Sequence, residues 1–303
     1  MNASITVGYL YPEILGTFGD RGNLQAVARR CAWRGISVEV AELRMGDRLR
    51  PRDVDLILIG NGTEARQRLI AGDLCTVKGP AIREAVDRGA ALLAVGSGYE
   101  LLGRYCQPAD GAELPGACIF DCWTIRRSPD AAADLRTITA MRADRAIGDL
   151  VVRWRGELLV GFENHAGRTY LGPAARPLGR TLAGFGNSGD GWEGVARGRA
   201  IGTYLRGPCL PRNPALADYL IQGALLHRYG DADLAPLDDD LERAAHDVAV
   251  ARVRCEQPRA ARHRRSGSRA GSLPRRGWRR PGRAGDRSRR ASQAAGPAAG
   301  SPF

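Results

Sequence analysis

In the stretch Ala94-Val95-Gly96-Ser97-Gly98-Tyr99 an apolar run over residues 90–95 breaks at glycine and passes directly into a helical pattern. A sharp strand-to-helix turn of this kind lifts one side chain out of a sheet. It aims the next residue's N–H, with the helix N-terminus behind it, at a developing oxyanion. That is the geometry of covalent acyl transfer, which also needs a thiolate or activated hydroxyl and a base that takes and returns its proton. The tip residue here is Gly96, which offers no nucleophile. Ser97 beside it carries a hydroxyl, but such an elbow exposes a single residue. His165, in Glu163-Asn164-His165, is the imidazole with the strongest claim to a site, against a plain structural role. Cys209, three residues after Arg206, could approach the same region or serve as a small buried residue between Pro208 and Leu210. His227 and His246 fall in helical patterns and read as surface or interhelical contacts.

The elements that must position these residues follow from hydrophobic period. Residues 5–9 form a short apolar run, followed by the loop Gly19-Asp20-Arg21-Gly22-Asn23 and a helical pattern over 24–34 closed by Gly35. Residues 36–43 alternate as a strand. Residues 54–59 and 90–95 are continuous apolar runs of the kind buried on both faces of a parallel sheet, the first ending in Gly60-Asn61-Gly62. A helix is predicted over 79–88 and another begins at 99. From Gly116 onward short strands (147–154, 158–162, 181–185, 200–205) alternate with glycine-rich turns, before helices over 214–229 and 238–254. The predicted fold class is α/β, a mostly parallel sheet flanked by helices. Ligand sites in such folds lie beyond the carboxyl ends of the strands.

The net charge of +12 suggests nucleic acid until it is divided along the chain. Residues 251–303 hold fifteen arginines against Glu256 and Asp286, so the whole excess sits there and the rest is close to neutral. This tail is Arg, Ala, Gly, Ser and Pro with a single Leu, a composition that cannot offset its ordering entropy by burial. It reads as a disordered tail beyond a 1–250 domain, and with Trp278 its only tryptophan, specific nucleic-acid binding is not expected. An off-frame origin is a second reading, since Lys78 is the one lysine of the chain against 44 arginines. Seven scattered cysteines without CxxC spacing read as reduced thiols, and no metal set is expected. Neither a signal peptide nor a membrane-length apolar run is evident, so a cytoplasmic location is expected.

Several segments together resemble one family. Asp20-Arg21-Gly22-Asn23, Gly96-Ser97-Gly98-Tyr99-Glu100-Leu101-Leu102-Gly103, Gly161-Phe162-Glu163-Asn164-His165-Ala166-Gly167-Arg168-Thr169-Tyr170, Ile201-Gly202-Thr203-Tyr204-Leu205-Arg206-Gly207-Pro208, Leu210-Pro211-Arg212-Asn213-Pro214 and Leu237-Asp238-Asp239 occur in that order. The chain resembles the glutaminase subunit of lipid II isoglutaminyl synthase, within the CobB/CobQ-like class I glutamine amidotransferases. The resemblance implies glutamine as substrate, no cofactor, and a Mur-ligase-like ATP-dependent partner subunit that amidates the D-glutamate of lipid II with the ammonia released. In that family the elbow reads Cys-Gly-Gly-Tyr-Gln-Leu-Leu-Gly and the base stands in Tyr-Leu-His-Gly-Pro. The nucleophile position is therefore Gly96 and the base position Arg206. The family's Gly-Gly-Gly turn, a source of oxyanion donors, is here Gly60-Asn61-Gly62, and Arg145 matches an arginine of the pocket mouth. In the family the histidine matching His165 belongs to a structural and substrate-side loop rather than to the catalytic pair. Glycine supplies no nucleophile and arginine, charged at neutral pH, no base, so impaired catalysis is expected. The alternatives are a non-catalytic binding or scaffold homologue, or an enzyme using Ser97 or Cys209. Gly96→Cys with Arg206→His is expected to return some activity, and Gly96→Cys alone none.

Overall fold

In the computed structural model the described residues are 3–126 and 145–256, and the expected arginine-rich tail lies outside them beyond residue 256. The chain opens with strand β1 (Ser4–Leu10), a one-turn helix α1 (Pro12–Leu15), helix α2 (Arg21–Ala32) and strand β2 (Ser37–Leu43). Strand β3 (Leu56–Ile59), helix α3 (Glu64–Asp73), a π-helical turn (Leu74–Lys78), helix α4 (Gly79–Asp87), strand β4 (Ala91–Val95) and helix α5 (Ser97–Leu101) follow. These strands join two later ones, β13 (Val195–Arg197) and β14 (Ala200–Thr203), in a six-stranded sheet of order β13-β14-β4-β3-β1-β2. Every pairing in it is parallel except β13 with β14. All residues of β3 and β4 are buried, as continuous apolar runs covered by helices on both faces must be. The sheet is mostly parallel and flanked by helices, as the sequence indicates.

Two further sheets were only partly foreseen. Strands β5 (Tyr105–Gln107), β6 (Leu114–Pro115), β7 (Cys122–Ile125) and β10 (Arg168–Leu171) pair in the order β10-β7-β5-β6. Strands β8 (Ala146–Trp154), β9 (Glu157–His165), β11 (Gly179–Ala183) and β12 (Trp192–Glu193) form an antiparallel sheet of order β12-β11-β8-β9. Trp154 pairs with Glu157 across a two-residue turn in which Arg155 (φ 50°) and Gly156 (φ 92°) are both left-handed, the turn that matches strand twist. This hairpin sets Arg145, just before β8, beside Asn164 near the end of β9, because Ile147 pairs with Asn164.

Helix α6 (Pro214–Tyr229) has the predicted span, and α7 runs Asp240–Glu256, two residues later at each end than predicted. Asp239, expected inside that helix, instead receives Arg30 Nη1 of α2 at 2.7 Å, while Arg30 Nε meets Asp218 of α6 at 2.6 Å. One buried guanidinium thus ties two helices and a loop. Helix α3 escapes the periodicity test because its buried face includes Gln67 beside Ile70 and Ala71. The strand predicted over 181–185 is Gly179–Ala183, ending where Gly184 (φ 93°) turns the chain. Among the described residues no helix is long and apolar enough to cross a membrane.

Candidate functional site

Strand β4 ends at Val95, and the chain turns into α5 through Gly96 at φ 55°, ψ −114°. Residues with a Cβ rarely adopt that backbone, and where they do at a strand-to-helix elbow, strain of roughly 1–3 kcal/mol holds a reactive side chain in place. Here the space is already taken. A Cβ built on Gly96 would lie 2.6 Å from both Cγ and Oδ1 of Asn61. Asn61 belongs to the turn after β3, where its backbone N–H donates to Asp20 Oδ2 at 3.0 Å. Its side-chain Oδ1 accepts the Ser97 N–H at 3.0 Å and lies 2.7 Å from Ser97 Oγ. The backbone donor that follows the elbow tip is therefore bonded to a carboxamide of the protein itself.

Ser97 is buried, and its Oγ also accepts the Gly62 N–H at 2.6 Å and lies 3.0 Å from the Gly62 carbonyl. None of its partners is an imidazole. Gly60 supports the elbow from below: its carbonyl accepts the Gly98 N–H at 3.2 Å, and a side chain there would strike the Leu15 carbonyl at 2.5 Å. Asn61, Gly62, Gly96, Ser97, Arg145 and Arg206 all line one cavity of about 330 Å³. Gly60 lies outside that lining.

Arg206 follows β14. Its backbone bridges Phe162 of β9 by two hydrogen bonds of 3.0 Å, and its guanidinium lies 4.7 Å from the centre of the Phe18 ring. Arg206 Nη1 donates to the Asn164 carbonyl at 3.1 Å, and Arg145 Nη2 donates to the same oxygen at 3.3 Å. Arg145 Nε is bonded in addition to Asn164 Oδ1. Burial, then the neighbouring positive charge, lowers both guanidinium pKa values, Arg145 feeling Arg126 and Arg206 feeling Arg145. For Arg206 the charge of Asp20 pulls the other way. Arg126, in the same lining, donates to Glu64 (2.7 Å), Gln67 (2.7 Å) and Glu100 (2.5 Å), and its pKa is raised by the two glutamates despite burial.

His165 lies against the cavity with its ring stacked on Tyr204, centroids 3.6 Å apart, and both ring nitrogens in use. Nδ1 is 2.8 Å from the Gly167 carbonyl and Nε2 is 3.3 Å from Glu163 Oε2. Cys209 is fully buried outside the lining, its thiol pushed up to about 12 by desolvation, with Asn213 Nδ2 at 3.9 Å. It does not approach the elbow as the sequence left open. His227 and His246 each meet a backbone carbonyl, of Arg88 and Arg212. The described cysteines are free thiols, and among the described residues no group of three or more His, Cys, Asp or Glu is placed to hold a metal ion. Sequence reasoning missed Phe18, Asn164 and the network around Arg126. Asn164 sits inside a stretch the sequence singles out, but nothing there signals that its carbonyl would join two arginines.

The family profile of the CobB/CobQ-like glutamine amidotransferase domain matches residues 6–214. The lipid II isoglutaminyl synthase (glutamine-hydrolyzing) subunit GatD of Staphylococcus aureus is 31% identical over 251 residues, spanning 82% of this chain and 96% of that protein. The subunit of the same name from Streptococcus pneumoniae is 30% identical over 244 residues, 78% of this chain and 86% of that one. Cobyric acid synthase of Chlorobaculum tepidum is 28% identical over 67% of this chain and 37% of its own length. With its parallel sheet, its glycine elbow and these relatives, the chain belongs to the CobB/CobQ-like glutamine amidotransferase family.

Proposed function

We propose that this chain is the amidotransferase-type subunit of a lipid II amidation system, and that its own site does not cleave glutamine through a covalent intermediate. Kinship with two GatD subunits over most of their length supports the first part. The partner is then a Mur-ligase-like ATP-dependent subunit that handles lipid II, in the cytoplasm, and the amidotransferase domain occupies residues 1–250 with the arginine-rich segment 251–303 outside it.

One observation carries the second part: the carboxamide of Asn61 lies within 2.6 Å of where the Cβ of a residue at position 96 would stand, and is bonded to the Ser97 N–H. Three requirements of amide hydrolysis are then unmet together. Gly96 gives no nucleophile, Arg206 gives no base, and the donor next to the elbow is already bonded. Ser97 does not replace the nucleophile, because its hydroxyl is bonded to Asn61 and Gly62 with no imidazole to take its proton.

Ammonia release from glutamine by the purified chain, alone and with its ligase-like partner, tests this reading. The expected rate is at least about a thousandfold below that of an intact glutaminase, since members of such a unit act together. Turnover on the order of 1 s⁻¹ or faster, an ordinary enzymatic rate, would overturn it.

A further inference from the structure

Two guanidiniums that share one carbonyl oxygen are an unusual end for a glutamine pocket. Arg145 Nη2 and Arg206 Nη1 converge on Asn164 O, and among the described residues neither has a carboxylate within ion-pair reach. Like charges this close, in a partly desolvated wall, repel unless an anion lies between them. The acids nearby are committed elsewhere. Glu64 and Glu100 hold Arg126, Glu64 also holds Arg68, and Asp20, whose charge acts on Arg206, accepts the Asn61 N–H through Oδ2 and makes no ion pair with either guanidinium. Beside the pair, Asn61 lines the same cavity, and its Nδ2 is buried without a hydrogen-bond partner.

We propose that this cavity retains an acidic α-amino acid, one of whose carboxylates is gripped by Arg145 and Arg206, where the family binds a carboxamide. The inference rests on the reading that the pocket descends from a glutamine site and no longer turns glutamine over. The charges select the class. One wall presents two unpaired positive groups. A second part of the lining holds Glu64 and Glu100 against Arg126, one carboxylate in excess. A ligand with two carboxylates and one ammonium complements both walls. A doubly charged phosphate complements the first and is repelled by the second. A planar carboxylate also matches the guanidinium fork in a way the neutral amide of glutamine does not.

Calorimetric titration of the full chain at low ionic strength with L-glutamate, L-glutamine, glutarate and inorganic phosphate tests the proposal. L-glutamate is expected to bind about tenfold or more tightly than L-glutamine, as charge-assisted hydrogen bonds require, and more tightly than glutarate, which lacks the ammonium. Arg206→Gln and Arg145→Gln should each weaken L-glutamate about tenfold or more, while Arg206→Lys keeps part of the affinity; thermal melting confirms that each variant is folded. The idea falls if L-glutamate gives no heat up to about 10 mM, if phosphate or L-glutamine binds as tightly, or if Arg206→Gln leaves the affinity unchanged. Ammonia appearing when L-glutamine is added would instead refute the absence of turnover, and is read in a separate channel from the affinities.

Discussion

Arg126 and the pair Arg145 and Arg206 line the same cavity, and they have been treated oppositely by the fold. Arg126 is enclosed by Glu64, Gln67 and Glu100, each within 2.7 Å, and its charge is stabilised by them. Arg145 and Arg206 have a carbonyl, a carboxamide and an aromatic ring for company, and their charges are disfavoured where they stand. A guanidinium with satisfied acids around it holds the protein together. A pair without them leaves an unfavourable interaction that an anionic ligand would relieve. The difference teaches that residues of one type lining one cavity can belong to structure in one place and to recognition in another, and that the count of acidic partners tells them apart.

The largest expected effect separates the walls by stability. Arg126→Met leaves Glu100, only 2% exposed, without its counter-ion, and is expected to cost about 3–5 kcal/mol in urea unfolding. Arg206→Met removes a charge that makes no ion pair among the described residues, though the charge of Asp20 acts on it, and is expected to stay within about 1 kcal/mol of the parent. Equal losses would erase the contrast.

The next effect converts the recognition wall back toward chemistry. The sequence suggests that Gly96→Cys with Arg206→His returns some activity, and the geometry adds a third position, because the new Cβ meets Asn61 at 2.6 Å and the Ser97 N–H remains bonded. Asn61→Gly, Gly96→Cys, Arg206→His together are expected to release ammonia from glutamine about a hundredfold faster than the double variant, the usual worth of one oxyanion donor. A double variant as fast as the triple would show that Asn61 swings aside freely.

Much of this arrangement was legible beforehand. The runs at 54–59 and 90–95 place the two turns at adjacent strand ends, so Gly60-Asn61-Gly62 and Gly96-Ser97 are brought together by parallel pairing of β3 with β4. Arg145 and Arg206 were legible as positions but not as a pair. Their meeting depends on the register of the β8–β9 hairpin and on a backbone bridge between Phe162 and Arg206, neither of which leaves a periodic trace. Asn61 was legible as a departure from a glycine turn. That its side chain would reach across to a glycine 35 positions later is a packing fact, since Gly96 is the residue that leaves the room. Helix α3 was invisible for a related reason: the polar Gln67 on its inner face is buried because Glu100 receives it.

The smallest effect concerns the acid behind the recognition wall. Asp20 is buried, its carboxyl raised to about 6 by desolvation, against the pull of the Asn61 N–H bond and the charge of Arg206. A carboxyl whose folded pKa lies above its unfolded value of 3.8 favours the fold while protonated. That contribution is complete below about pH 4 and is lost as pH rises through 6. Asp20→Asn keeps an oxygen for the Asn61 N–H and cannot ionise. Relative to the parent it is therefore expected to gain about 2 kcal/mol of stability between pH 4 and pH 7.5, measured by urea unfolding at each pH. The same carboxyl, followed by NMR, should titrate higher still in Arg206→Gln, because the one positive charge that lowers it is gone. An unmoved titration would mean that Arg206 points its charge away from Asp20, and the electrostatics of the recognition wall would have to be redrawn from Arg145 alone.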